Sequence, residues 1–205
     1  MPLDIIITPE LVIDTWGYMF HEYGITPTSK SSSPFMTLIR PFTGIDRKHW
    51  ARFSTLIGHT LYTDIELGVE TPKLSLLGQL LIIPHECQHK IQDDNEVFYP
   101  VKYLCSKWYR VKTEIDGYTC NQELFYLLTG RIIPIERFVE RLTNYQLDDK
   151  HLKFAESRLL VRTARIESGE YLMKPAKMAA VYLACAADRP RARQIQKVDY
   201  ERLLL

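Results

Sequence analysis

Leu80-Leu81-Ile82-Ile83-Pro84-His85-Glu86-Cys87-Gln88-His89 is the stretch on which the reading of this chain turns. Its last five residues have the form HExxH. On a helix, positions i and i+4 share one face, so the imidazoles of His85 and His89 can both reach one metal ion. Glu86, beside the first histidine, then stands where it can take a proton from a water activated by that ion. In a chain with 6 histidines, chance alone produces this pattern about 1% of the time. The plainer alternative is an amphipathic helix with two surface histidines. The apolar run 80–83 argues against it, because it buries the segment immediately before the motif.

A catalytic zinc site takes three protein ligands and keeps one position open. A third histidine six residues beyond His89 is excluded, since Asn95 stands there. A cysteine ligand upstream of the helix, as in peptide deformylases, is excluded too. Cys87 lies inside the motif and no cysteine precedes it. What remains is a carboxylate from a following helix. Glu114 lies 25 residues after His89, in Lys112-Thr113-Glu114-Ile115-Asp116-Gly117-Tyr118. Gly117 is three residues on, along the same helical face. A mid-helix glycine costs about 1 kcal/mol relative to alanine, and close approach to the HExxH helix would offset that cost. Asp116 is the alternative third ligand, although it points to a different face of an ideal helix.

On these residues the chain resembles the gluzincin zinc metallopeptidases, especially minimal ones in which HExxH is followed by a helix bearing E-x-x-A or E-x-x-G. The resemblance covers about residues 59–128. It implies one Zn2+ per chain held by His85, His89 and Glu114, with Glu86 as general base and acid. It implies hydrolysis of a peptide or peptidoglycan-type amide bond in a zincin-like core. It also implies that an alternating strand over 61–67 forms the cleft edge, where a substrate backbone could add as a further strand. There are two departures. Pro84 should kink or restart the helix just before His85. Many larger gluzincins also place an aspartate four residues after the ligand glutamate, and here that position is Tyr118. Tyr118 is a candidate oxyanion donor, in competition with Tyr109, Tyr145 and Tyr171.

Around this centre the chain reads as one domain of 205 residues. Its 46% hydrophobic and 25% charged residues are ordinary globular values that exclude a disordered or fibrous class. A formal charge of +1 supplies no bulk drive toward nucleic acid or acidic membranes. The sequence shows neither a secretory signal nor an apolar run of membrane-spanning length. The expected location is therefore cytoplasmic or within a larger particle. Four cysteines without CxxC spacing read as reduced and mostly buried.

The expected fold class is α+β, mostly helical. A small antiparallel sheet leads into the HExxH helix, and helices over 135–146, 148–168 and 175–187 follow. Periodicity and breakers also predict a helix from Thr8-Pro9 to Gly24 and a loop over 26–34. Beyond that they predict a strand over 35–40 and a helix from Asp46 to Gly58. Further helices are expected from Thr71-Pro72 to His85 and from Leu104 to Leu128. His21, His49, His59 and His151 read as isolated histidines, and Arg158, Arg162 and Arg165 as a solvated face. The basic tail over 188–205, ending Leu203-Leu204-Leu205, could dock on a protein partner. Hence a second reading, a non-catalytic zincin-fold component of an assembly such as a phage particle or toxin complex.

Overall fold

The computed structural model of the chain describes residues 3, 5–42 and 54–187. Several of its helices begin at side-chain caps. The Thr8 hydroxyl accepts from Leu11 N at 3.2 Å, and Pro9 opens α1 (Pro9–Tyr23). After β1 (Thr26–Thr28), Ser33 caps α2 (Pro34–Ile39). The strands β2 (Thr55–Ile57) and β3 (Thr60–Tyr62) follow. Ser75 caps α3 (Leu76–Asn95), and Ser106 separates α4 (Tyr99–Cys105) from α5 (Lys107–Thr129). The chain continues with α6 (Ile135–Thr143), α7 (Asp149–Glu167) and α8 (Lys174–Ala187).

The protein is mostly helical with one small sheet, ordered β1-β3-β2. That sheet is mixed, not antiparallel. β2 and β3 form a hairpin across Gly58-His59, where Gly58 adopts the positive φ (59°) that two-residue turns require. β1 instead lies parallel to β3, pairing Thr26 with Thr60 and Thr28 with Tyr62.

Several sequence expectations are corrected here. Residues 26–34 are not all loop, because 26–28 pair with β3. Residues 35–40 do not form a strand. Ser33 accepts from Met36 N at 3.3 Å with Pro34 behind it, and this cap starts a helical turn. Ile57 and Gly58 belong to the hairpin; the rest of the helix expected from Asp46 falls largely outside the described residues. The strand expected over 61–67 ends at Tyr62. Since β3 is paired on both sides, it is not an edge; β2, which packs against α3, is the outer strand on that side among the described residues. The helix expected from Thr71 starts at Leu76, because residues 71–74 close a bridged turn. The helix expected from Leu104 is interrupted at Ser106. Finally, α3 runs unbroken through Pro84. Buried Leu77, Leu80 and Ile83 on one side and Cys87 on the other hold both halves in the core.

α5 is the axis of the molecule, with α3, α4, α6, α7 and α8 packed around it. Fifteen of its residues are buried, seven of them Arg110, Thr113, Glu114, Thr119, Asn121, Gln122 and Glu123. Burying so many polar groups requires internal partners. Gln122 accepts from Ile133 N at 3.1 Å and donates to Ile133 O at 3.2 Å, imitating a peptide group. Gln79 does the same in α3, accepting from Gly68 N and donating to Val69 O. The Trp16 indole N–H donates to Gln79 O at 3.0 Å and ties α1 to α3. All four cysteines are free; Cys87 and Cys120 are buried but Cys105 and Cys185 are exposed, so the expectation that most would be buried holds for only half of them. Among the described residues no helix is long and apolar enough to cross a membrane.

Replacing Gln122 by leucine strands both backbone groups of Ile133 in the core. The expected cost is about 2–6 kcal/mol, from about 1–3 kcal/mol for each of the two unsatisfied groups. A urea unfolding midpoint measures it, and an unchanged midpoint would show that the loop after α5 is held otherwise.

Candidate metal centre

Two helices meet side by side at Gly117. A Cβ built on this residue would lie 2.6 Å from the His85 ring, well inside any real contact. The glycine is therefore the space in which the imidazole sits, as the sequence suggested. One turn along α5, Glu114 turns toward the same space from which His85 and His89 rise on α3.

The ligand-type atoms of His85, His89 and Glu114 all lie within 4.8 Å of one another. The two Nε2 atoms are 3.0 Å apart. Each is 3.5 Å from a Glu114 oxygen, His85 from Oε2 and His89 from Oε1. Tetrahedral zinc with bonds near 2.0–2.1 Å separates its ligand atoms by about 3.3 Å, so this triangle fits such an ion. The donor chemistry agrees. Glu114 Oε2 is buried with no hydrogen-bond partner, an atom that should not be left bare in a folded interior. Two imidazole nitrogens facing each other can share only one proton. A cation between the three groups resolves both problems.

Charge within the site is strongly coupled. Burial by itself would raise the Glu114 carboxyl, but the two imidazoles hold it well below the usual carboxylate range. Burial would lower His89, yet Glu114 outweighs it and pushes this imidazole up to about 9. Glu86 is 6% exposed. Burial raises its carboxyl, with the neighbouring histidines and Lys30 opposing and Glu114 adding to the rise. Lys30 is itself buried and donates to Thr55 Oγ1 of β2 at 2.9 Å. Burial draws its ammonium down to about 8, against the pull of Glu86 and Asp64.

Around the three groups stands a ring of supports, most of which the sequence did not reveal. α4 presents Tyr99 and Tyr103 one turn apart. Tyr103 donates to Glu114 Oε1 at 2.5 Å, and Tyr99 Oη lies 3.1 Å from His89 Nδ1. Arg110 caps the end of α4, donating to Tyr103 O, Leu104 O and, further on, Tyr145 O. His85 Nδ1 lies 3.2 Å from the Asn121 amide. The surroundings of that amide favour the opposite orientation, in which its nitrogen donates to Gly117 O at 2.9 Å and to His85 Nδ1 at 3.2 Å. A metal on His85 Nε2 requires the first arrangement, with Nδ1–H donating to the Asn121 oxygen.

The remaining expected residues fall in different places. Asp116 is not among the converging atoms; it bonds Gln92 and Arg162. Arg162 is therefore not part of a merely solvated face, since its guanidinium is turned inward to Asp116 and Thr119. Tyr118 is buried between the rings of His85 (5.2 Å) and Phe138 (5.0 Å), with its hydroxyl bonded to Tyr145. Tyr109 packs on Tyr99, and Tyr145 is buried beside Tyr118. Tyr171 lines a separate cavity of about 220 Å³ with Glu123 and Gly169. His151 closes the capping box of α7 against Asp148 and packs at a tilt against Trp108. Of the missed residues, Gln92 was the most accessible, because it stands one turn after His89 on the same face. Tyr99 and Tyr103 sit at i and i+4 of α4, which begins before the Leu104 start that the sequence suggests.

No family model matches the chain, and neither the curated proteins nor the solved structures contain one that aligns with it.

Because Gly117 is the seat of His85, Gly117→Ala should displace one imidazole from the triangle. Zinc affinity is expected to fall at least tenfold in a protein that still folds, read by competition with a chromophoric chelator. Equal affinity in the variant would show that the close approach of the two helices does not set the site.

Proposed function

We propose that the protein is a zinc-dependent metallopeptidase that hydrolyses a peptide or peptidoglycan-type amide bond. The observation that carries this reading is the triangle of His85, His89 and Glu114, with Glu114 Oε2 buried and bare. Glu86 precedes His89 by three residues on the same helix, in the place that the HExxH arrangement gives its base. Resemblance to the gluzincins rests on these four residues and on Gly117.

A zinc ion bound there supplies Lewis acidity, polarising the scissile carbonyl and lowering the pKa of water toward about 7. The chain's own residues supply the rest. His85, His89 and Glu114 fix the position at which the reacting carbonyl must sit. Glu86 takes the proton of the attacking water and returns it to the leaving amine. Tyr118, against the His85 ring, is the candidate donor to the developing oxyanion. β2, the outer strand on that side among the described residues and packed on α3, takes the place given to 61–67 as the strand along which a substrate backbone would lie.

Purified protein is expected to carry close to one zinc per chain by mass spectrometry of the metal, and Glu114→Ala to lose most of it. Zinc-loaded protein incubated with a peptide library should generate new amino termini. Glu86→Gln should retain zinc and lose this activity at least a thousandfold, in proportion to a base and acid removed together. Unchanged turnover in Glu86→Gln would overturn the mechanism. A wild type that takes up no zinc would overturn the reading as a whole.

A further inference from the structure

A histidine that ligates a metal through Nε2 must keep its other ring proton on Nδ1, and that N–H needs an acceptor. The two histidines meet this requirement differently. His85 faces the Asn121 amide, which has two arrangements open to it. His89 faces Gln92 Oε1 at 2.9 Å, and this second amide has only one. Its nitrogen is committed to Asp116 Oδ2 at 2.8 Å and to Thr113 O at 3.4 Å. An amide whose nitrogen is fixed by acceptors can offer only its oxygen on the other side. Asp116 is fixed in turn, because Arg162 holds its Oδ1 at 2.6 Å and also donates to Thr119 Oγ1 at 2.8 Å. The Tyr99 hydroxyl donates to the same Gln92 oxygen at 3.3 Å and sits 3.1 Å from His89 Nδ1.

We propose that Gln92, braced by Asp116 and Arg162, is a positioning residue of the metal centre that fixes the Nδ1–H tautomer of His89 and frees its Nε2 for the ion. The proposal rests on the zinc reading given above. It assigns a role to Asp116 that is not ligation. It also gives the C-terminal part of the chain a function, since α7 reaches the centre through Arg162, Asp116 and Gln92.

The amide has a physical advantage over a carboxylate in this place. Glu86 and Glu114 are already two buried acids in one small volume. A third carboxylate directly on His89 would raise the cost of ionising Glu86. Gln92 transmits the orientation set by Asp116 while keeping that charge one side chain further out. Asp116 itself is better solvated, with a side chain 29% exposed.

The test is a double-mutant cycle on zinc affinity, by competition against a chromophoric chelator, in wild type, Gln92→Ala, Asp116→Asn and the double variant. Thermal unfolding of the metal-free proteins is followed in parallel. Gln92→Ala is expected to weaken zinc binding 10–100-fold, the usual effect of removing a partner of a ligand histidine (~10–100-fold). Asp116→Asn should weaken it less, because the amide stays but is free to turn. The double variant should bind no more weakly than Gln92→Ala, since both act through one contact. Should Gln92→Ala fail to fold, Gln92→Met keeps the volume without the acceptor and carries the same expectation. Wild-type affinity in Gln92→Ala or Gln92→Met, or losses that multiply in the double variant, would overturn the relay while leaving the zinc site intact. A loss in Asp116→Asn as deep as in Glu114→Ala would make Asp116 a ligand and overturn it as well. A wild type without zinc affinity removes the site itself, a distinct result from failure of the relay.

Discussion

A carboxylate that is 1% exposed cannot remain charged without opposite charge beside it, and the arrangement around Glu114 follows from that requirement. Two imidazoles approach one of its flanks and a tyrosine hydroxyl caps one oxygen, leaving the other bare. For the imidazoles to come so close, α3 and α5 must touch, and they touch because residue 117 has no side chain. The path of α5 through the middle of the molecule, with helices on every side, is the structural form of the same constraint. An axis helix carries a charged group inward only if its neighbours shield that group from water.

That shielding is built in layers. α4 is seven residues long, yet it brings Tyr99 and Tyr103 to two of the three converging groups, and Arg110 secures it by taking up carbonyls at its end. On the other side α7 reaches in through Arg162. Buried polar networks of this type stabilise a fold only when every member has a partner, because a half-satisfied network costs more than an apolar core. In this one the conspicuous exception is Glu114 Oε2.

How much of this was legible in the sequence depended on the range of the interaction that decides it. His85, Glu86 and His89 were readable because their relation is one helical turn. Glu114 and Gly117 were readable as a pair because their spacing matches a helix that must approach another. The caps at Thr8 and Pro9 declared α1 for the same local reason. The strand expected over 35–40 failed because Ser33 and Pro34 set a helical start that outweighs the β-prone residues after them. The mixed sheet was not readable, since β1 pairs with a strand more than thirty residues away. Nor did α5 show a polar face and an apolar face, because fifteen of its 23 residues are buried and the polar ones among them bond inward. Arg162 was taken for surface on its own helix pattern, and only tertiary contact with Asp116 reveals its direction.

The central claim is that two histidines and one carboxylate hold a single zinc ion, and X-ray absorption at the zinc edge of the zinc-loaded protein tests it most directly. The account predicts a first shell of about four nitrogen or oxygen neighbours near 2.0–2.1 Å with the outer-shell signature of two imidazoles. A sulfur neighbour near 2.3 Å, which would place Cys87 or another thiol on the ion, would contradict it. So would a shell of oxygens with no imidazole in it.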